Sequence, residues 1–207
     1  MAIYMWREAQ PRTPTSDVIA YFPLDSEYQL NSYDWSKVLN ANDSSYSFSN
    51  NCIEFTNSCI LNYQSTTTTN TYTVFWYMYW WSAWRYWMSS TTSLSASSFY
   101  WRWLYRNWDT DLSINKRNWS SSSSTWYTIT AWWHCIVMVC SSSKEKVYVD
   151  GVLLWESSLW LSSTQTYLII NSIISWYKVG KVWLSNSQWT AEQVADFYNK
   201  TKSDFWL

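Results

Sequence analysis

Short apolar runs and alternating segments, each closed by a polar cluster, recur along the chain. They are densest between residues 132 and 156, WWHCIVMVCSSSKEKVYVDGVLLWE. Residues 135–140 form an unbroken apolar run and residues 146–149 alternate, so both predict strands, joined across three serines. Asp150-Gly151 then reads as a type I′ turn, whose two central residues need positive φ, leading into a third strand at 152–154. The same reading predicts strands within 17–25, at 46–48, on both sides of the Thr-Asn-Ser turn in CIEFTNSCILNY, and at 72–79, 99–106, 111–115, 125–130, 166–174 and 178–184. Residues 26–51 predict a long irregular loop around the 46–48 strand, and the TTTTNT tract a spacer. Residues 80–98 predict a turn, a short strand and a loop, and 116–124 a further loop.

One helix is expected, late in the chain. In TAEQVADFYNKTK, Thr190 as N-cap and Gln193 three residues on make a capping box, while Val194, Phe197 and Tyr198 share a face. About a dozen short strands with serine-rich turns and this single helix predict an all-β sandwich of two antiparallel sheets. Residues 1–16 have no period and read as an N-terminal arm, leaving 17–207 as one domain.

Charge and cysteine content narrow the function more than the fold. The chain has 14 Lys plus Arg against 15 Asp plus Glu, in no long block, which argues against a nucleic-acid partner. No apolar run reaches the ~18 residues of a membrane span, and residues 1–16 hold no apolar h-region, so neither membrane insertion nor signal-peptide export is expected. Cys52, Cys59, Cys135 and Cys140 lack paired C-x-x-C spacing and have one histidine, His134, for company. Buried free thiols are therefore favoured over a zinc site, with a Cys52–Cys59 disulfide open in an oxidising setting.

Two residue counts are anomalous. Glycine occurs twice, where average usage gives about 14, and tryptophan occurs 20 times. Trp108, Trp119 and Trp155 fall where turn chemistry asks for a small or positive-φ residue. A gene in which UGA is read as glycine, translated with UGA as tryptophan, leaves this signature. Glycine at these positions in the native polypeptide is one expectation, and a tryptophan-rich surface is the other.

Four stretches together resemble the concanavalin A-like laminin G superfamily. They are DVIAYFPLD, YTVFWYMY, the block of WWHCIVMV with KVYVDGVLL, and the closing GKVWLSNSQWTAEQVADFYN. Trp133-His134 and Tyr148-Val149-Asp150-Gly151 are the most specific matches, and the likeness covers roughly residues 17–202. The missing glycines, at Trp132 and Trp155 among others, depart from it. The resemblance implies a jelly-roll sandwich, and modules that bind glycans or proteins on cell surfaces or on the tails and decoration proteins of bacterial viruses.

The expected function is accordingly non-enzymatic adhesion or virion decoration. The module would recognise a surface glycan or protein, working on a virion or extracellular surface after a cytoplasmic stage, as a homo-oligomer or within a larger virion assembly. A purely structural virion subunit anchored by the arm is the first alternative, and a glycoside hydrolase the second. Hydrolysis needs two carboxylates projecting together, whereas Glu54, Glu145 and Glu156 stand alone. In FYWRWLYR, Tyr100, Arg102, Leu104 and Arg106 share one face, expected outward because it carries two guanidiniums. Tyr100, Arg102 and Arg106 are thus the candidate glycan site, an aromatic beside planar donors. Asp109 and Asp111, with Asp43, are the candidate ligands for calcium, which the resemblance raises as the one cofactor to consider. His134 is expected to be a hydrogen-bonded sheet residue rather than a catalytic one.

Overall fold

The structure, a computed structural model, describes residues 18–33, 35–42, 44–49, 51–57, 59–69, 71–79, 86–91, 102–107, 111–116, 122–128, 132–141, 143–157, 165–172, 177–205 and 207. Among these, one sheet contains β1 (Val18–Phe22), β3 (Tyr46–Phe48), β4 (Ile53–Phe55), β6 (Tyr72–Tyr79), β11 (Trp133–Cys140), β12 (Glu145–Val149), β13 (Val152–Ser157) and β15 (Tyr177–Ser185). Its order is β13-β12-β11-β6-β15-β4-β3, with β1 also on β15. The other contains β2 (Asn40–Ala41), β5 (Cys59–Thr69), β7 (Tyr86–Thr91), β8 (Arg102–Asn107), β9 (Asp111–Lys116), β10 (Ser122–Thr128) and β14 (Gln165–Ser172), in the order β10-β9-β8-β7-β14-β5-β2. With the helix α1 (Ala191–Thr201), this is an all-β jelly-roll sandwich of two antiparallel sheets closed by one short C-terminal helix.

The eight-stranded sheet is buried on both faces at its centre. β11 is buried along its whole length and β6 along all but its last residue, and both strands read as continuous apolar runs for that reason. Val74, Trp76 and Met78 of β6 and Ile136, Met138 and Cys140 of β11 pack with Cys59, Leu61 and Tyr63 of β5 between the sheets. Phe75, Tyr77, Cys135, Val137 and Val139 lie on the opposite face, under Val194 and Phe197 of α1 and Phe205 just beyond it.

Local chemistry seats the helix there. The Thr190 hydroxyl accepts from the Gln193 N–H at 3.2 Å and the Gln193 side-chain Oε1 accepts from the Thr190 N–H at 2.8 Å, so the expected capping box forms. The Phe197 ring sits 4.2 Å from that of Phe75 and 4.8 Å from that of Trp183, while the Phe205 ring stacks on Tyr77 at 4.0 Å. Gly180 of β15 leaves room for this ending, since a Cβ there would lie 2.6 Å from both the Asn51 carbonyl and the Phe205 ring.

The elements depart from the sequence reading in three places. The threonine tract is not a spacer but the second half of β5, an outcome that suits β-branched residues. β10 begins at Ser122, inside the segment expected to be a loop. The 26–51 loop carries the small strand β2 and an Asn31–Val38 bridge. The expected arm, residues 1–16, lies outside the described residues.

Phe197→Ala should lower stability by roughly 3–5 kcal/mol, as truncating a fully packed aromatic does, with the midpoint of chemical denaturation as the readout.

Candidate functional site

With one sheet covered on both sides, the face available for binding is sought on the other. β5 supplies the reference: Cys59, Leu61 and Tyr63 are buried between the sheets, Ile60 and Asn62 are half-buried and Gln64 is exposed. Alternation puts the first set on the inner face and the second on the outer. Residues directly opposite in an antiparallel ladder share a face, so the register carries this assignment across the sheet.

On the outer face, Asn62 pairs with Ile169 of β14, Ile169 with Ser89 of β7, Ser89 with Trp103 of β8 and Trp103 with Asn115 of β9. One row along, Ile60 pairs with Asn171 and Asn171 with Trp87, while Tyr105 pairs with Ser113. In a third row, Gln64 pairs with Tyr167 and Tyr167 with Thr91. On β5 the described side chains of that face are Ile60, Asn62 and Gln64. At its β2 end, the Asn62 amide donates to the Asn40 carbonyl at 3.2 Å and the Asn42 carboxamide oxygen accepts from the Ile60 N–H at 2.6 Å.

Leu61 pairs with Ile170, Ile170 with Met88, Met88 with Leu104 and Leu104 with Ile114, while Arg102 pairs with Ser90 and Lys116, and Arg106 with Leu112. The candidate site residues Arg102 and Arg106 therefore lie in β8, between β7 and β9 of the seven-stranded sheet. Tyr100 lies outside the described residues, and so do Asp109 and Asp43. Asp111 opens β9, in register with Asn107. Calcium takes about six to eight oxygen ligands. Among the described residues no three His, Cys, Asp or Glu side chains gather to hold a metal ion.

A second constellation surrounds His134, and it is structural. The Asp150 carboxylate takes the Cys135 N–H at 2.9 Å on one oxygen and meets His134 Nδ1 at 2.8 Å with the other, while the Asp150 N–H donates to the Cys135 carbonyl at 2.9 Å. Asp150 and Gly151 have φ of 51° and 80°, the type I′ turn expected. A Cβ on Gly151 would come 2.9 Å from the Tyr198 ring, so the turn also seats α1. His134 is thus a hydrogen-bonded sheet residue. The Cys135 thiol is pushed well above its ordinary pKa by burial and by the Asp150 charge, leaving little thiolate. All four cysteines are buried and none forms a disulfide. Cys52 packs with the helix layer beside the Ser49 hydroxyl and Cys59 packs in the inter-sheet core, so the open Cys52–Cys59 disulfide does not form.

No family model and no curated protein sequence matches the chain. Solved structures do. Domain 4 of AbnA, a GH43 extracellular arabinanase from Geobacillus stearothermophilus, in complex with arabinotriose, matches with a TM-score of 0.69 at 11% identity, over 88% of this chain and 98% of that one. Trypanosoma rangeli sialidase matches with a TM-score of 0.71 at 12% identity, over 93% of this chain and 34% of that one. The botulinum neurotoxin type G receptor binding domain matches with a TM-score of 0.66 at 9% identity, over 90% of this chain and 52% of that one. The chain thus spans about a third of the sialidase and about half of the toxin domain, and the likeness shows the fold.

The face assignment has a direct check. Leu61→Lys should cost roughly 3 kcal/mol or more, because it places an ammonium between the sheets. Gln64→Lys should change stability by under about 1 kcal/mol. Equal losses on thermal unfolding would contradict this assignment of faces.

Proposed function

We propose that the protein is a non-enzymatic binding module whose outer seven-stranded face takes a glycan. The observation that carries this is the outer side of β5, where Asn62 is half-buried and Gln64 exposed, away from the inter-sheet core. Sugars present hydroxyls, and carboxamides both donate to and accept from them. AbnA domain 4, of similar fold and nearly the same extent, is described in complex with arabinotriose, which supports a glycan over a protein partner.

On this reading the module works on a virion or extracellular surface, with residues 1–16 as its attachment arm. Assembly as a homo-oligomer would multiply a weak single-site affinity through effective concentration.

A glycan array probed with the whole chain tests the reading. Saturable binding should appear, and Asn62→Ala and Gln64→Ala should each weaken it by about tenfold, in line with losing hydrogen bonds to the sugar. Binding that survives both changes, or is lost only on changing Trp132 or Leu153 at the other sheet, would put the site elsewhere.

A further inference from the structure

We infer that Trp35 is a stacking platform for the glycan and that the ligand is an oligosaccharide long enough to reach it from the amides of β5; the inference rests on the binding reading above and names the size of its ligand. Among the described residues two tryptophans are exposed, Trp35 at 58% and Trp132 at 47%. Trp108 and Trp119 lie outside the described residues, and Trp155 packs against the inter-sheet core. Trp132 stands beside Tyr79 at the end of the covered sheet, with 6.1 Å between ring centroids. Trp35 belongs to the segment that runs into β2, the strand next to β5.

A short hairpin holds Trp35. Asn31 and Val38 form an antiparallel bridge, and within it the Ser32 N–H donates to the Lys37 carbonyl at 2.8 Å and the Trp35 N–H donates to the Ser32 carbonyl at 2.9 Å. Ser32 is buried, and its hydroxyl accepts from the Lys37 N–H at 2.9 Å, which pins the turn at its base. From Val38 onward burial alternates. Val38 is 49% exposed, Leu39 is buried in the inter-sheet core, Asn40 is exposed, Ala41 packs against that core and Asn42 is exposed. Val38 and Asn40 therefore share one side of the chain. Asn40 is in register with Asn62, so that side is the outer one, and the two residues extend the surface that Asn62 and Gln64 begin.

The indole is backed by a ladder of rings. It lies 5.4 Å from Tyr28, Tyr28 stacks on Tyr33 at 5.4 Å, Tyr33 on Tyr21 at 5.7 Å, and Tyr21 on Trp183 of β15 at 3.6 Å. Tyr28 and Trp183 are buried, so the ladder runs from the core to an exposed ring. Exposed apolar side chains scattered singly are ordinary. Here an indole held from behind shares a hairpin with exposed Val38 and adjoins the carboxamides of β2 and β5. Tryptophan offers a large rigid face at low entropic cost, which suits the apolar C–H side of a sugar ring. The neighbouring amides, and the Lys37 ammonium that reaches the Ser36 hydroxyl at 3.0 Å, suit its hydroxyls.

Reach sets the size of the ligand. At a strand rise of about 3.3 Å per residue, the rung at Lys37 lies about 10 Å along the chain from Asn40, and Trp35 lies beyond it. A single sugar ring cannot touch both the indole and Asn62, whereas several joined rings can.

Titration of the whole chain with two probe series tests this: arabinose and arabinotriose, then galactose, lactose and lacto-N-tetraose. In the series that binds, the longest probe should bind at least about tenfold more tightly than the monosaccharide. Trp35→Ala should remove that gain with the thermal unfolding midpoint unchanged, while Trp35→Phe should keep most of it, because a smaller ring still stacks. Asn62→Ala should weaken short and long probes alike. A Trp35→Ala variant that keeps native affinity for the longest probe would overturn the platform and leave the β5 site standing. Equal weakening of monosaccharide and oligosaccharide by Trp35→Ala would overturn the spanning ligand. Saturable binding to neither series, together with an empty glycan array, would overturn the glycan reading itself.

Discussion

The interaction on which the rest depends is the packing of the C-terminal helix onto the eight-stranded sheet. Phe197 and Phe205 close over Phe75, Tyr77 and Trp183, so β6 and β11 are enclosed by the helix on one side and the second sheet on the other. A strand buried on both faces cannot also offer a binding surface. The consequence is a division of labour between the sheets: one is the structural middle layer and the other keeps a face that neither the core nor the helix uses.

The Asp150-Gly151 turn ties this arrangement to the chain's best-defined motif. One carboxylate fixes the Cys135 N–H and meets His134, and the glycine beside it makes room for Tyr198, so hairpin and helix are seated by adjacent residues. Buried donors and acceptors are costly when unmatched. The Trp-His and Tyr-Val-Asp-Gly blocks therefore make sense as scaffold, with ligand chemistry left to side chains on the other sheet.

Much of this scaffold was legible along the chain because its signals are local. The capping box at Thr190 and Gln193, the type I′ turn at Asp150-Gly151 and the apolar runs of β6 and β11 each depend on a few neighbouring residues. The site was less legible because it depends on pairing. In FYWRWLYR both alternating sets are bulky, so alternation alone does not choose a face. The threonines of β5 were ambiguous for a similar reason: a polar β-branched tract suits a spacer or an extended strand until its partner is known. At 9–12% identity the similar structures retain the sandwich, and a shared sandwich leaves function to the side chains grafted on it.

The claim that the outer seven-stranded face is the working surface is tested most directly by hydrogen–deuterium exchange of the whole chain with and without a saturating oligosaccharide. Added protection should fall on β5, β8, β9 and β14, with β12, β13 and α1 unchanged. Protection centred instead on the hairpin around Asp150 or on the helix would contradict the account, because it would place the ligand on the sheet whose centre is filled on both faces.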